Sequence, residues 1–189
     1  VVDDAHATGV LGATGKGTPE HFRLPDEGII YQTETMSKAL GGYGGFIAST
    51  RSVTDLIREH SSTYQASTAL PPPIAAAGTA SLTILSKTPG LRIELLEKAW
   101  RIREAVISMD FRTTHFRTPI IPVIFDTSEM AKELSLFLED NGVIVPFVTY
   151  PARQAMHLVR IAVSVTHTDD QISHLISLLK RWKNKYESN

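Results

Sequence analysis

The 189-residue sequence contains no cysteine. A disulfide framework and thiolate metal sites are therefore excluded, and a reducing cytoplasm is the compatible compartment. Long apolar runs are also missing, so neither a transmembrane helix nor a signal peptide is predicted. Neither sign of charge dominates, because 19 Lys and Arg face 20 Asp and Glu. The charge balance therefore indicates neither a nucleic acid nor a membrane as partner.

The residues that are present predict an α/β protein with two regions. Apolar content of 42% is enough for a buried core. We predict strands over 28–33, 46–48, 120–125, 143–150 and 159–165, and helices over 52–60, 75–87, 91–109, 128–141 and from Thr168 onward. A Pro-Gly break near residue 90 separates domains 1–90 and 91–189, and the second is an α+β module.

Two segments that suggest common sites do not fit them. The glycine-rich stretch 12–18 resembles a phosphate loop, but Val10 stands where a Walker A sequence needs Gly, and Gly17 stands where it needs Ser or Thr. Asp3, Asp4 and His6 are metal-ligand types, yet no further carboxylate or imidazole follows at a spacing that completes a site. We predict no metal.

Lys38 is the strongest candidate for chemistry. It follows a predicted strand and is flanked by small residues and by the glycine-rich stretch 41–45. Such a setting suits a lysine that forms a covalent bond with a carbonyl cofactor, because the backbone must come close to a bulky ring and a phosphate. Thr35 could place its hydroxyl on that phosphate. The alternative is a solvated lysine beside a glycine turn.

Asp3 strengthens the case for Lys38. It lies at the carboxyl end of a predicted buried strand, where ligands bind in open α/β sheets. A carboxylate there can pair with the pyridinium nitrogen of pyridoxal 5'-phosphate (PLP), so that the ring withdraws electrons, and His6 could bind the ring hydroxyl. Alone, Asp3 would more often be a strand-end cap or an ion-pair partner.

The sequence resembles the α-oxoamine synthases. The resemblance runs in the family's order through 1–12, 15–17, 35–42, 67–72, 119–123 and 160–168. It implies the PLP-dependent transferase fold (fold type I), with 1–90 as part of the large-domain sheet and 91–189 as the small domain. It also implies an N-terminal half that this chain lacks. Val1 and Val2, which resemble the end of a strand, agree with this expectation.

The resemblance assigns a role to each candidate residue. Asp3 would pair with the pyridine nitrogen, His6 would contact the ring hydroxyl, Lys38 would hold the cofactor and move protons, and Thr35 would bind phosphate. Ser67 and Thr68 would reach the cofactor of the neighbouring subunit in a homodimer. Arg160 would hold the carboxylate of the amino acid, which suits a planar bidentate donor.

The implied reaction joins an α-amino acid to an acyl-CoA with loss of CO₂. The same fold and the same Asp and Lys would also serve an aminotransferase, which has no acyl-CoA pocket. A third possibility is a non-catalytic partner subunit. Such subunits commonly lack the lysine, and Lys38 is present here.

Overall fold

A computed structural model describes residues 1–25, 30–149 and 156–187. The chain divides into two compact units, Val1–Arg92 and Ile93–Asn189. No helix in the described ranges is long and apolar enough to cross a membrane.

The first unit contains a small mixed sheet and four helices. Its sheet has the order β1-β2-β3, with β1 and β2 parallel and β2 and β3 antiparallel. The register pairs Val2 with Gln32 and Asp3 with Thr33. The elements are β1 (Val2–Asp3), α1 (Thr18–His21), β2 (Gln32–Thr35), β3 (Gly45–Phe46), α2 (Arg51–His60), α3 (Ser62–Ala66) and α4 (Pro72–Lys87).

Asp4 holds the long loop between β1 and β2 in place. Its side chain is buried, and Oδ2 accepts hydrogen bonds from the Thr18 backbone N–H (2.8 Å) and from Nε2 of Gln32 (2.6 Å). The Gln32 amide also donates to the Lys16 carbonyl (3.0 Å). A loop with few apolar residues thereby gains a fixed shape from one charged acceptor.

The second unit is built on an antiparallel sheet. The sheet order is β4-β6-β5, and the register pairs Ile120 with Ala162 and Phe125 with His157. The elements are α5 (Gly90–Ser108), which begins in the first unit, β4 (Ile120–Phe125), α6 (Ser128–Asp140), β5 (Phe147–Thr149), β6 (His157–Ala162) and α7 (Asp169–Glu187).

One apolar core fills the second unit. Buried residues of β4 alternate with partly exposed ones, and Ile121, Val123 and, on β6, Val159 have no exposed surface. Helices α5, α6 and α7 add apolar faces to the same cluster. Trp182 of α7 stacks on Phe111 with ring centroids 6.0 Å apart, which closes one end of the core.

Arg103 is a buried charge in this unit without a carboxylate partner. Its guanidinium donates to the carbonyls of Thr114, Thr118 (3.3 Å) and Ile120 (2.8 Å). Burial lowers the pKa of Arg103, although a guanidinium keeps its proton in proteins. The side chain therefore ties the segment 114–120, which leads into β4, to helix α5.

The predicted elements agree with the structure where the apolar pattern is strong. The strand 120–125 has the predicted bounds, and the N-terminal box of α7 forms in both directions, from Thr168 N–H to Gln171 Oε1 (2.9 Å) and from Gln171 N–H to Thr168 Oγ1 (3.2 Å). Strand ends differ: β2 extends to Thr35, β3 stops at Phe46, and β6 ends at Ala162. Residues 28, 29 and 150 of two predicted strands lie outside the described residues.

No helix was predicted between positions 60 and 75, but the structure has one there. Helix α3 forms there because the Ser61 hydroxyl accepts the Tyr64 backbone N–H (3.2 Å), which caps the first turn. Helix α4 begins at Pro72, earlier than predicted, because proline fits the first turn of a helix.

Candidate functional site

Parallel pairing of β1 and β2 places the candidate residues at one edge of the sheet. Both strands end there, β1 at Asp3 and β2 at Thr35. Lys38 follows three residues after the end of β2. The carboxyl edge of parallel strands is where open α/β sheets bind ligands. Asp3, Thr35 and Lys38 therefore lie at or just after the carboxyl ends of two neighbouring parallel strands.

The two neighbouring aspartates have different environments. Asp4 is buried and bonded to the loop, whereas Asp3 is exposed and accepts one hydrogen bond, from the Ala5 N–H to Oδ1 (3.0 Å). Asp3 thus keeps acceptor capacity at the sheet edge. The structure assigns Asp4 a structural task and leaves Asp3 available to a ligand.

An exposed segment between two buried residues carries Lys38. Met36 and Leu40 are buried on either side of it, and Lys38 is exposed. The turn closes through the Gly41 N–H to the Lys38 carbonyl (3.0 Å) and the Gly42 N–H to the Met36 carbonyl (2.6 Å). Within the described part of the chain, the Lys38 amine has no hydrogen-bond or ion-pair partner.

Two glycines from neighbouring segments pack closely against side chains of this turn. A Cβ added at Gly9, whose φ is +77°, would lie 2.9 Å from the Cβ of Ala39. A Cβ added at Gly78 of α4 would lie 2.5 Å from the Met36 sulfur. The loop after β1 and helix α4 therefore both contact the segment that carries Lys38, and the positive φ at Gly9 favours glycine there.

Thr35 organises the turn with its hydroxyl. Its Oγ1 donates to the Gly44 carbonyl (3.2 Å), accepts the Ser37 N–H (3.2 Å) and lies 2.7 Å from Oγ of Ser37. A hydroxyl in this position can rotate toward an anion only by giving up the Gly44 carbonyl. Ser37, which sequence reasoning did not single out, is exposed beside it.

The other candidates of the first unit are exposed. His6 lies three residues beyond Asp3. Ser67 ends helix α3, where its hydroxyl donates to the Thr63 carbonyl (2.6 Å), and Thr68 follows it. Leu70 packs on the glycine turn, because a Cβ added at Gly44 would lie 3.0 Å from its Cδ1. The segment 67–70 is thus anchored beside the Lys38 turn.

Arg160 belongs to the second unit, on β6. Its backbone N–H donates to the Pro146 carbonyl (3.0 Å), and its half-buried side chain makes no hydrogen bond or ion pair with another described residue. The side chain lines a cavity of about 340 Å³. Arg160 therefore lines this cavity as a cation without a partner among the described residues, and its role toward a substrate stays a prediction.

Sequence reasoning missed a second polar residue in that cavity. His167 was not among the predicted site residues, yet it lines the same cavity as Arg160. The available signal was its position in the turn between β6 and α7, close in sequence to Arg160. No group of three or more His, Asp or Glu that could hold a metal occurs among the described residues.

Comparison with known proteins identifies the family. The family model for class I and II aminotransferases matches residues 1–179. The chain is 36% identical to an 8-amino-7-oxononanoate synthase of Methylococcus capsulatus, over 95% of this chain and 46% of the relative. The chain spans about half the length of the curated relatives it matches.

Solved structures give the same answer. A serine palmitoyltransferase from S. paucimobilis, solved with a PLP-myriocin adduct, superposes with a TM-score of 0.91 at 27% identity, over 100% of this chain and 48% of that one. The 8-amino-7-oxononanoate synthase of Francisella tularensis superposes with a TM-score of 0.85 at 26% identity, over 100% and 55%.

The chain belongs to the aminotransferase class I and II family and has its α/β fold type I. Within that family, the resemblance to the α-oxoamine synthases is confirmed by these relatives.

Proposed function

We propose that this chain is the C-terminal half of a PLP-dependent acyltransferase that condenses an α-amino acid with an acyl-CoA, with decarboxylation, to give an α-amino ketone. The activity would be like that of 8-amino-7-oxononanoate synthase or 2-amino-3-ketobutyrate CoA ligase. One observation carries the proposal: the exposed carboxylate of Asp3 and the amine of Lys38, which has no partner among the described residues, lie at or just after the carboxyl ends of two parallel strands. The names of the relatives support it.

The donor set at this edge fits PLP. Asp3 would hold a proton at the pyridine nitrogen, His6 would contact the ring hydroxyl, and Lys38 would bind the cofactor covalently. Thr35 would contact the phosphate, and the Thr35 to Ser37 hydroxyl pair, 2.7 Å apart, offers a donor once the Gly44 bond is released.

Each catalytic group would act on one part of the cofactor or the substrate. PLP supplies an electron-poor ring that stabilises negative charge at the α-carbon of the bound amino acid. Nζ of Lys38 would take the α-proton, and Asp3 would keep the ring nitrogen protonated. Arg160 would grip the amino acid carboxylate with two parallel hydrogen bonds, which fixes the substrate for attack on the acyl-CoA thioester.

We further propose a cytoplasmic homodimer with shared sites, in which 1–90 belongs to the large PLP-binding domain and 91–189 forms the small domain. Ser67 and Thr68 would reach the cofactor of the partner subunit. Their exposure at the end of α3 supports this role. Exposed apolar side chains on the same unit, among them Tyr64 (56%) and Leu56 (58%), support an interface there.

Borohydride reduction tests the cofactor and its anchor. We expect the full-length protein with PLP to show a visible absorbance band that reduction fixes onto the peptide containing Lys38. A Lys38→Ala variant should lose the fixed label. Lys87→Ala, which changes an exposed lysine at the end of α4, should keep it. A label that persists in the Lys38→Ala variant would overturn the proposal.

Substrate consumption separates the proposed acyltransferase from an aminotransferase. The family model that matches the chain is named for aminotransferases, so this second candidate has direct support. An aminotransferase would convert the cofactor to the pyridoxamine form with an amino donor alone. The acyltransferase would require acyl-CoA and release both CoA and CO₂, which can be measured as free thiol and as labelled carbonate.

A further inference from the structure

His167 is held rigidly in the turn between β6 and α7. Its own N–H donates to the Ser164 carbonyl (3.2 Å), and the box of Thr168 and Gln171 fixes the following helix. Nζ of Lys98 on α5 donates to the Val165 carbonyl (2.7 Å). The ring therefore has a defined position on the wall of the cavity that Arg160 lines.

A backbone hydrogen bond selects the tautomer of this ring. The Ser164 N–H donates to Nδ1 of His167 at 3.1 Å, so Nδ1 must be an acceptor. The neutral imidazole then carries its hydrogen on Nε2, and Nε2 has no partner among the described residues. His167 therefore presents a hydrogen-bond donor that the fold itself does not use.

The cavity favours an anion beside an apolar wall. Arg160, His167, His174 and Gln171 are its side chains with polar hydrogens, and no Asp or Glu occurs among the described residues that line it. His174 lies 3.2 Å from the Asn141 carbonyl, so its Nε2 is already occupied. Apolar residues such as Ile161, Ile172 and Leu175 form the remainder. Arg160 and Nε2 of His167 are thus two donors of this lining without a partner among the described residues.

We infer that His167 contacts the substrate directly, by donating a hydrogen bond from Nε2 to the carboxylate that Arg160 binds. This inference rests on the proposed function for the identity of the carboxylate as that of the amino acid. It adds a third donor atom to the two of the guanidinium, which would orient the carboxylate in one plane. A hydrogen bond to a charged group stabilises more than a neutral one.

Two substitutions separate the contact with substrate from the role in the turn. His167→Asn keeps an acceptor where Nδ1 receives the Ser164 N–H but loses the donor in the cavity. His167→Gln places an amide N–H near the position of Nε2 but loses the acceptor. In the full-length holoenzyme, we expect the His167→Asn variant to have a KM for the amino acid substrate that is roughly tenfold higher than in the wild type. Its kcat should stay within about twofold and its Tm should be unchanged. The His167→Gln variant should have a KM near that of the wild type and a lower Tm.

Propionate provides a readout that does not need the cofactor. In the full-length protein without PLP, propionate should raise Tm in the wild type, and this rise should be lost in His167→Asn and in Arg160→Lys. If Lys38 fails to bind PLP but the propionate effect depends on both residues, the proposed function fails and the carboxylate contact stands. Wild-type KM in His167→Asn, or KM changes that follow Tm in both variants, would overturn the inference.

Discussion

The two units differ in where they place their apolar residues. In the second unit, eighteen buried residues form one cluster. In the described part of the first unit, only Ala7, Val10, Met36 and Leu40 are buried among the large and small apolar residues. Helix α4 has an apolar composition, yet Gly78 is its one buried residue. The second unit has its own core, whereas the first carries the candidate cofactor residues and leaves much of its apolar surface exposed.

The largest effects should come from replacing Asp3 or Asp4, one at a time, with asparagine. Asp3→Asn should lower kcat by about 10²- to 10³-fold, because an exposed carboxylate at the sheet edge is lost while the fold is unaffected. Asp4→Asn should instead destabilise the loop by about 1–3 kcal/mol, because the buried acceptor of Thr18 and Gln32 is weakened. Steady-state kinetics and urea unfolding measure the two effects. Equal losses of activity without a stability difference would contradict the division of tasks.

Truncation of a leucine should affect the two units unequally. Leu134→Ala removes a fully buried side chain from the core of the second unit and should cost about 2–5 kcal/mol of unfolding free energy. Leu82→Ala on α4, where the side chain is 48% exposed, should change stability by less than about 0.5 kcal/mol in the isolated 189-residue chain. A large effect of Leu82→Ala would mean that α4 is already covered.

Arg103→Lys tests whether the second unit also depends on polar anchoring. The lysine keeps the charge but lacks the planar fork that reaches the carbonyls of Thr118 and Ile120. We expect a loss of about 2 kcal/mol, measured by urea unfolding, because at least one buried carbonyl loses its donor. Stability equal to the wild type would show that the segment before β4 holds its shape without the guanidinium.

The smallest expected effect is a pH dependence in the first unit. Burial raises the pKa of Glu34 on β2, and the Asp4 carboxylate raises it further, against a hydrogen bond from Thr8. A raised pKa in the folded state means that this group favours folding while protonated and loses that contribution as pH rises through its folded pKa. Glu34→Gln should therefore be more stable than the wild type at pH 7. The difference should disappear near pH 4, as followed by Tm.

The sequence predicted those parts of the molecule that local chemistry determines. The box at Thr168 and Gln171 and the apolar strand 120–125 depend on neighbouring residues and formed as expected. Helix α3 was missed because its residues are polar and its start depends on the Ser61 cap, which carries no apolar periodicity. Arg103 was missed because the carbonyls that it binds belong to another segment, which a single sequence does not pair with it. The cavity at His167 was missed because part of its wall comes from the remote segment 142–146.

Because Gly9 and Ala39 are in contact, the residues that one loop tolerates at position 39 depend on the residue at position 9 of the other loop. A side chain at position 9 would occupy space that the Ala39 methyl fills, at a positive φ that favours glycine. A residue larger than alanine is therefore expected at position 39 only while position 9 remains glycine. In a library that varies both positions, functional clones should keep glycine at position 9, whereas position 39, which is exposed, should vary only in clones that keep that glycine.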